Sequence, residues 1–219
     1  MSDGGPRERL FALLEKRVRD PRVLAALVDT PRDLYVDETQ RLWAWDDRAL
    51  PYAEGQTISQ PSMVAIMTEA LEPKPGDRVL DVGTGSGYQA AILARLVGRV
   101  YGIELRPTLA RRARANLARD PGVRANVEVV VADGWRGFPG RIAFDGIVVA
   151  AAAESVPEAL VAQLAPGGRL LIPVGPPGFQ ELLRLRRGAG GALTQERLGG
   201  CAFVPLVRGA EPGPAPHER

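Results

Sequence analysis

A short hydrophobic run that opens into three closely spaced glycines constrains this chain more than any other feature. The run Val79-Leu80-Asp81-Val82-Gly83-Thr84-Gly85-Ser86-Gly87-Tyr88 reads as a buried strand that enters a helix through a turn suited to residues without a Cβ. Such a turn brings main-chain N–H groups together at a helix N-terminus, where a ligand can rest against them. In an open α/β sheet this position, beyond the carboxyl end of a strand, is where ligands bind. The following sequence keeps the same rhythm. Arg78–Val82, Arg99–Glu104, Val127–Val131, 142–150 and 169–174 are short β-branched runs, separated by helical segments at 87–97, Pro107–Arg119 and 156–164. Two late strands are expected at 181–186 and 201–207, joined by a glycine-rich hairpin around 188–191. The alternation predicts an α/β class with a doubly wound, mostly parallel seven-stranded sheet.

Ahead of this pattern the chain reads differently. Leu10, Leu13, Leu14 and Val18 fall at helical spacing, and a second short helix is expected after Pro21. From Asp29 to Gln60 the periodicity is lost, with Pro31, Pro51 and Gly55 breaking it and Trp43, Trp45 and Tyr52 scattered through it. A long irregular stretch with this aromatic content suggests an ordered lid or binding segment. Pro61 suits the first turn of a helix that ends before Pro73. The expected organisation is a helical and lid segment over 1–60, a cofactor-binding domain over 61–209 and a frayed proline-rich tail over 210–219.

The ligand can be narrowed from the residues. A dinucleotide fingerprint calls for glycines at 83, 85 and 88, but position 88 is Tyr88 and the third glycine is Gly87. Asp81, at the end of the strand, suits a cofactor with a cationic amino group better than a pyrophosphate. Glu104, with Leu105 beyond it, ends the next strand, where an acid can grip ribose hydroxyls. Asp133-Gly134 follows the third strand, where a carboxylate can accept from an adenine amino group. Asp81, Gly83, Thr84, Gly85, Gly87, Glu104, Leu105, Asp133 and Gly134 together describe a site for S-adenosyl-L-methionine, with S-adenosyl-L-homocysteine as its product form.

Upstream, Gly55-Gln56-Thr57-Ile58-Ser59-Gln60-Pro61 resembles the signature segment of the protein-L-isoaspartate O-methyltransferases. The likeness continues through 81–88, through 145–149 with the alanines 150–153, through 166–175 and through Phe203-Val204-Pro205-Leu206. The departures are Tyr52-Ala53-Glu54 ahead of the signature, which bears on lid shape, and Ala132 in a place often held by glycine. The resemblance implies methylation of the free α-carboxyl of L-isoaspartyl residues in damaged proteins, which starts their repair. It assigns Ser59 as donor to the substrate carboxylate and Thr57 as a wall of the same pocket. The alternative for both hydroxyls is capping of the helix opened by Pro61. Other readings are a methyltransferase acting on a small molecule or another protein side chain, and a non-catalytic cofactor-binding module.

Composition narrows the partners. Net charge is only +2, and the arginines at 106, 111, 112, 114 and 119 lie on one helix without interleaved aromatics, so no nucleic acid is expected. The single Cys201 and single His217 leave no disulfide and no multi-histidine metal site within the chain. No apolar run reaches the roughly 20 residues of a membrane span. A cytoplasmic monomer without membrane attachment is the expectation.

Overall fold

In the computed structural model, which describes residues 4–123 and 125–209, the alternating pattern becomes one sheet of seven strands. The elements run α1 (Pro6–Leu14), α2 (Pro21–Asp29), the short pair β1 (Leu50–Pro51) and β2 (Thr57–Ile58), and α3 (Pro61–Leu71). They continue with β3 (Arg78–Val82), α4 (Tyr88–Ala94), β4 (Arg99–Glu104), α5 (Pro107–Arg119), β5 (Val127–Val131) and β6 (Phe144–Val149). The chain closes with α6 (Glu158–Ala162), β7 (Leu164–Val174), β8 (Gln180–Arg187) and β9 (Leu193–Cys201). The sheet order is β5-β4-β3-β6-β7-β8-β9. All pairs from β5 to β7 are parallel, and β8 runs antiparallel to both of its neighbours. The chain steps outward from β3 to β5 and then returns to the other side of β3. Connections therefore diverge between β3 and β6 and leave a crevice at the carboxyl ends of those strands.

The central strands are buried on both faces. Val79, Val148 and Leu171 join the core on one side of the sheet, whereas Leu80, Val82, Ile147, Val149 and Ile172 join the core on the other. The first core also contains Leu10, Leu14, Val23, Leu27 and Tyr35, so the N-terminal segment is packed into the body. Polar contacts fix it there. The Tyr35 hydroxyl donates to Asp120 at 2.7 Å, and Arg95 holds the other oxygen of that carboxylate at 2.6 Å. On α5, Arg112 pairs with Asp37 and stacks on Tyr52, and Arg114 donates to the Val129 carbonyl. Part of the arginine-rich helix thus fastens neighbouring segments and does not simply face water.

One element departs from the sequence expectation. The last strand is β9 (Leu193–Cys201), not 201–207. Its sequence is polar and its side chains are mostly exposed, so it carries no apolar alternation to read. The apolar stretch that does look like a strand leaves the sheet and crosses over the carboxyl ends instead. There Ala152 N–H donates to Val204 and Leu206 N–H donates back to Ala152, at 2.8 and 2.7 Å. The expected tail at 210–219 lies outside the described residues. Among the described residues no helix is long and apolar enough to cross a membrane.

Asp120 is 2% exposed and takes both a cation and a phenol. Asp120→Ala strands the buried Tyr35 hydroxyl and removes the carboxylate facing Arg95, which keeps only the Ala91 and Asp29 carbonyls; removal of one partner from a buried pair costs about 3–5 kcal/mol. We expect a loss of that size in the free energy of unfolding measured by urea titration.

Candidate cofactor and substrate site

Beyond the tips of β3, β4 and β6 lies a slot with Gly83 and Gly85 on one wall, Glu104, Leu105 and Arg106 on a second, and Gly134, Ala150 and Ala151 on a third. The crossing segment 204–207 forms the outer wall, and Gln56 and Thr57 form the lip. Gly83 and Gly85 have φ of 82° and 54°, a region that L side chains rarely enter. The turn is tied to its neighbour strand by Gly83 and Thr84 N–H groups that both donate to the Ile103 carbonyl. Glu104 is buried; it accepts from Gly85 N–H and from Arg106 N–H, both at 2.9 Å, and so holds the slot's two walls together.

Asp81 is 0% exposed, and neither of its carboxylate oxygens has a hydrogen-bond partner. Burial, opposed by the nearby Thr84 hydroxyl and reinforced by the charge of Glu104, pushes its pKa up to about 7. A buried carboxylate without a donor is costly. Asp81 itself does not line the slot, but its chain neighbours Val82 and Gly83 do, and a cationic group brought beside them would relieve that cost. Glu104 keeps acceptor capacity beside the slot, since a carboxylate has about four lone-pair sites. An unpaired buried acid, an acid on the slot wall and a glycine cradle fit the ammonium, ribose and main-chain-facing parts of S-adenosyl-L-methionine.

Other expected residues lie away from the slot lining. Thr84 is buried under the turn, its hydroxyl donating to the Asp81 carbonyl at 3.2 Å. Gly87 (φ 90°) faces α5, where an added Cβ would lie 3.2 Å from Leu117 and 3.3 Å from the Ala113 carbonyl. It therefore serves close packing of α4 on α5. Gly134 lines the slot, but the Asp133 carboxylate accepts from Trp135 N–H at 2.9 Å and Gly209 N–H at 3.0 Å.

The two hydroxyl residues stand at a junction. Thr57 lines the slot, a small cavity between lid and glycine turn, and a surface groove; Ser59 lines the last two. The groove holds about 530 Å³ and is bounded by Gln60, Met63, Gln180, Cys201 and Phe203. Capping does not account for these hydroxyls. The α3 N-terminus is capped from outside by Asp47, which accepts from Ser62 N–H at 2.8 Å and from the Gln60 side chain at 3.0 Å. Among the described residues neither the Thr57 nor the Ser59 hydroxyl makes a hydrogen bond of its own.

Sequence reasoning missed Gln56 and Arg106 on the slot, Asp47 under the hydroxyl segment, and Gln180. The Gln180 side chain exchanges two hydrogen bonds with the Phe203 backbone and holds the crossing segment against the groove. Gln56 and Arg106 were accessible in principle, as neighbours of residues already singled out. Asp47 and Gln180 act over long separations that no local pattern signals.

The family model for protein-L-isoaspartate(D-aspartate) O-methyltransferase matches residues 7–211. A protein-L-isoaspartate O-methyltransferase of Halorhodospira halophila is 50% identical over 212 residues, covering 95% of this chain and 94% of that protein. One from Methanoculleus marisnigri is 50% identical over 197 residues, covering 90% and 88%. A Plasmodium falciparum crystal structure assigned as a protein-L-isoaspartate O-methyltransferase, in complex with S-adenosyl-L-homocysteine, superposes with a TM-score of 0.81 at 27% identity. It covers 94% of this chain and 100% of its own.

Asp81 has a pH signature. With a folded pKa of about 7 against roughly 4 in the unfolded chain, the unfolded state binds fewer protons, so unfolding free energy falls as pH rises through that window. Asp81→Asn removes this component. Measured by denaturant titration without cofactor, the variant should gain on the parent by up to roughly 4 kcal/mol between pH 4 and pH 7. A pH-independent difference would show that the carboxyl is already satisfied.

Proposed function

The chain belongs to the protein-L-isoaspartate(D-aspartate) O-methyltransferase family, and we propose that it methylates the free α-carboxyl of L-isoaspartyl residues through a site built on Ser59 and Thr57. The observation that carries this reading is that Thr57 lines both the slot and the surface groove, and Ser59 lines the groove and the small cavity against the glycine turn.

S-adenosyl-L-methionine, when bound, supplies a methyl group on a positively charged sulfur that departs as the neutral thioether of S-adenosyl-L-homocysteine. The protein's share of the reaction is small in chemistry and large in geometry. A carboxylate with a pKa near ~4 is ionised at neutral pH, so no side chain has to remove a proton. Ser59 donates its free hydroxyl to one carboxylate oxygen and leaves the other to react. Thr57 walls both compartments and fixes the direction of approach. Asp81 compensates the ammonium group, Glu104 accepts from ribose hydroxyls, and Asp133, at the third strand tip, faces the adenine end beside Gly134. Gly83, Thr84, Gly85, Gly87 and Leu105 shape the turn and wall that hold these groups. The rate advantage comes from alignment within a water-poor slot.

The groove supports a polypeptide substrate over a free small molecule. Its boundary includes uncharged Gln60, Met63, Gln180 and Phe203, a surface that accepts an extended chain without demanding a particular flanking charge. We place the enzyme in the cytoplasm, acting as a monomer on damaged proteins and without a nucleic-acid partner.

Incubation with methyl-labelled cofactor and matched peptides tests the assignment: only the isoaspartyl peptide should gain base-labile label, and equal labelling of the aspartyl twin would overturn it. Ser59→Ala should lower turnover about 10- to 100-fold, the worth of one hydrogen bond to a charged group, with cofactor affinity unchanged by calorimetry. Undiminished turnover would remove Ser59 from the site.

A further inference from the structure

Arg32 is a charged residue with 0% exposure, and among the described residues no carboxylate lies within ion-pair distance of it. A guanidinium in that position has given up its water, and burial lowers its pKa against the weaker pull of Tyr88, Asp47 and Asp46. Its two terminal nitrogens instead donate to main-chain carbonyls, Ala44 at 2.5 Å, Ser59 at 2.9 Å and Arg48 at 3.3 Å, while its buried Nε has no partner among the described residues. The guanidinium carbon also sits 5.6 Å from the ring centroid of Tyr88, the first residue of α4 after the glycine turn. Loss of hydration at such a residue needs a return, and the contacts show where it falls.

Two of those carbonyls bracket the loop 44–48 that carries Asp47, and the third belongs to Ser59. Asp47 in turn holds the Gln60 side chain and Ser62 N–H. The segment bearing the free hydroxyl is therefore gripped on one side by Arg32 and on the other by Asp47, both from the N-terminal layer. The sheet makes neither contact.

We infer that Arg32 is a positioning residue for the Ser59 hydroxyl, acting directly through the Ser59 carbonyl and indirectly by holding the loop that presents Asp47. The inference rests on the role proposed above for Ser59. Arg32 touches neither substrate nor cofactor in this scheme; it sets where the hydroxyl stands. Misplacement of a reacting or orienting group by about 1 Å can cost on the order of 10²-fold in rate.

The test is a double-mutant cycle on the full chain, assayed with isoaspartyl peptide and methyl-labelled cofactor. Arg32→Gln should lower kcat about 10- to 100-fold with cofactor affinity held within about twofold. In the Ser59→Ala background the same change should have little further effect on kcat, because the group being positioned is gone. Asp47→Ala should repeat this pattern, while Asp47→Asn, which keeps an acceptor for Ser62 N–H, should recover most of the activity. Full additivity of Arg32→Gln with Ser59→Ala would overturn the inference. So would joint loss of cofactor binding in Arg32→Gln and Asp47→Ala, which would make both residues supports of the whole lid. If the parent enzyme labels isoaspartyl peptide but Ser59→Ala is fully active, the Ser59 role fails and this inference with it. If Ser59→Ala is impaired and Arg32→Gln is not, only the inference fails.

Discussion

The architecture turns on one electrostatic constraint: a fully buried carboxylate, Asp81, held near the end of β3 with no hydrogen-bond donor among the described residues. Folding alone gives little reason to place an unpaired acid there, since its charged form loses hydration without compensation. The surrounding structure overrides that cost by packing β3 between β4 and β6 and by burying both faces of the sheet. In the proposed reading, the ammonium group of the cofactor completes the charge of that site. The glycine turn is the second half of the same device, because Gly83 and Gly85 open main chain to the slot two and four positions after the buried acid.

The N-terminal layer answers a different need. A parallel sheet offers main-chain amides and strand-end acids, which suit a cofactor, but it does not by itself supply a wall for a second reactant. The lid lines the cavities beside the sheet with Gln56, Thr57 and Ser59, and in the proposed reading these supply that wall. Its attachment is strong where it meets the body: Tyr35 and Arg95 converge on Asp120, Glu69 accepts from the Arg19 and Asp20 N–H groups, and Arg106 pairs with Glu54. Glu54 itself adopts φ 57°, so the departure Tyr52-Ala53-Glu54 is accommodated by a non-glycine residue in a left-handed turn, beside Gly55 at φ 71°. Buried Tyr52 fills the space behind that turn under the Arg112 guanidinium.

What was legible in the sequence follows from how local each signal is. The inner parallel strands were visible because both of their faces are buried, which writes continuous apolar runs such as Ile147 to Val149. The glycine turn and the acids at 81 and 104 were visible because backbone geometry and strand ends leave fixed spacings. β9 was invisible for the opposite reason: it is an edge strand with exposed faces, so Thr194 to Glu196 carry no apolar period. The apolar 203–206 stretch was misplaced because a half-buried segment crossing the strand ends carries the same apolar residues as a strand in the sheet. Gly87 shows a related ambiguity, since the third glycine of the turn faces Leu117 and the Ala113 carbonyl. Asp47 and Arg32 could not be found by pattern, as each acts across 12 or more positions on groups with no sequence preference of their own.

The crossing segment shows why the two ends of the chain must meet over the same sheet edge. The alanines 150–153 are spent on main-chain pairing: Ala150 donates to Val82, Ala152 exchanges two bonds with Val204 and Leu206, and Ala153 pairs with 173–175. Small side chains there let a strand extension, a crossing segment and the glycine turn approach within hydrogen-bonding distance of one another. Trp135 then pins the crossing segment, its indole donating to the Leu206 carbonyl at 2.8 Å beneath the Arg208 guanidinium. Asp133 adds the Gly209 N–H. The third strand tip thus anchors the slot's outer wall as well as one of its ends, so cofactor site and groove share a boundary. A hydroxyl placed from the N-terminal side and a wall placed from the C-terminal side can then define one reaction path between them.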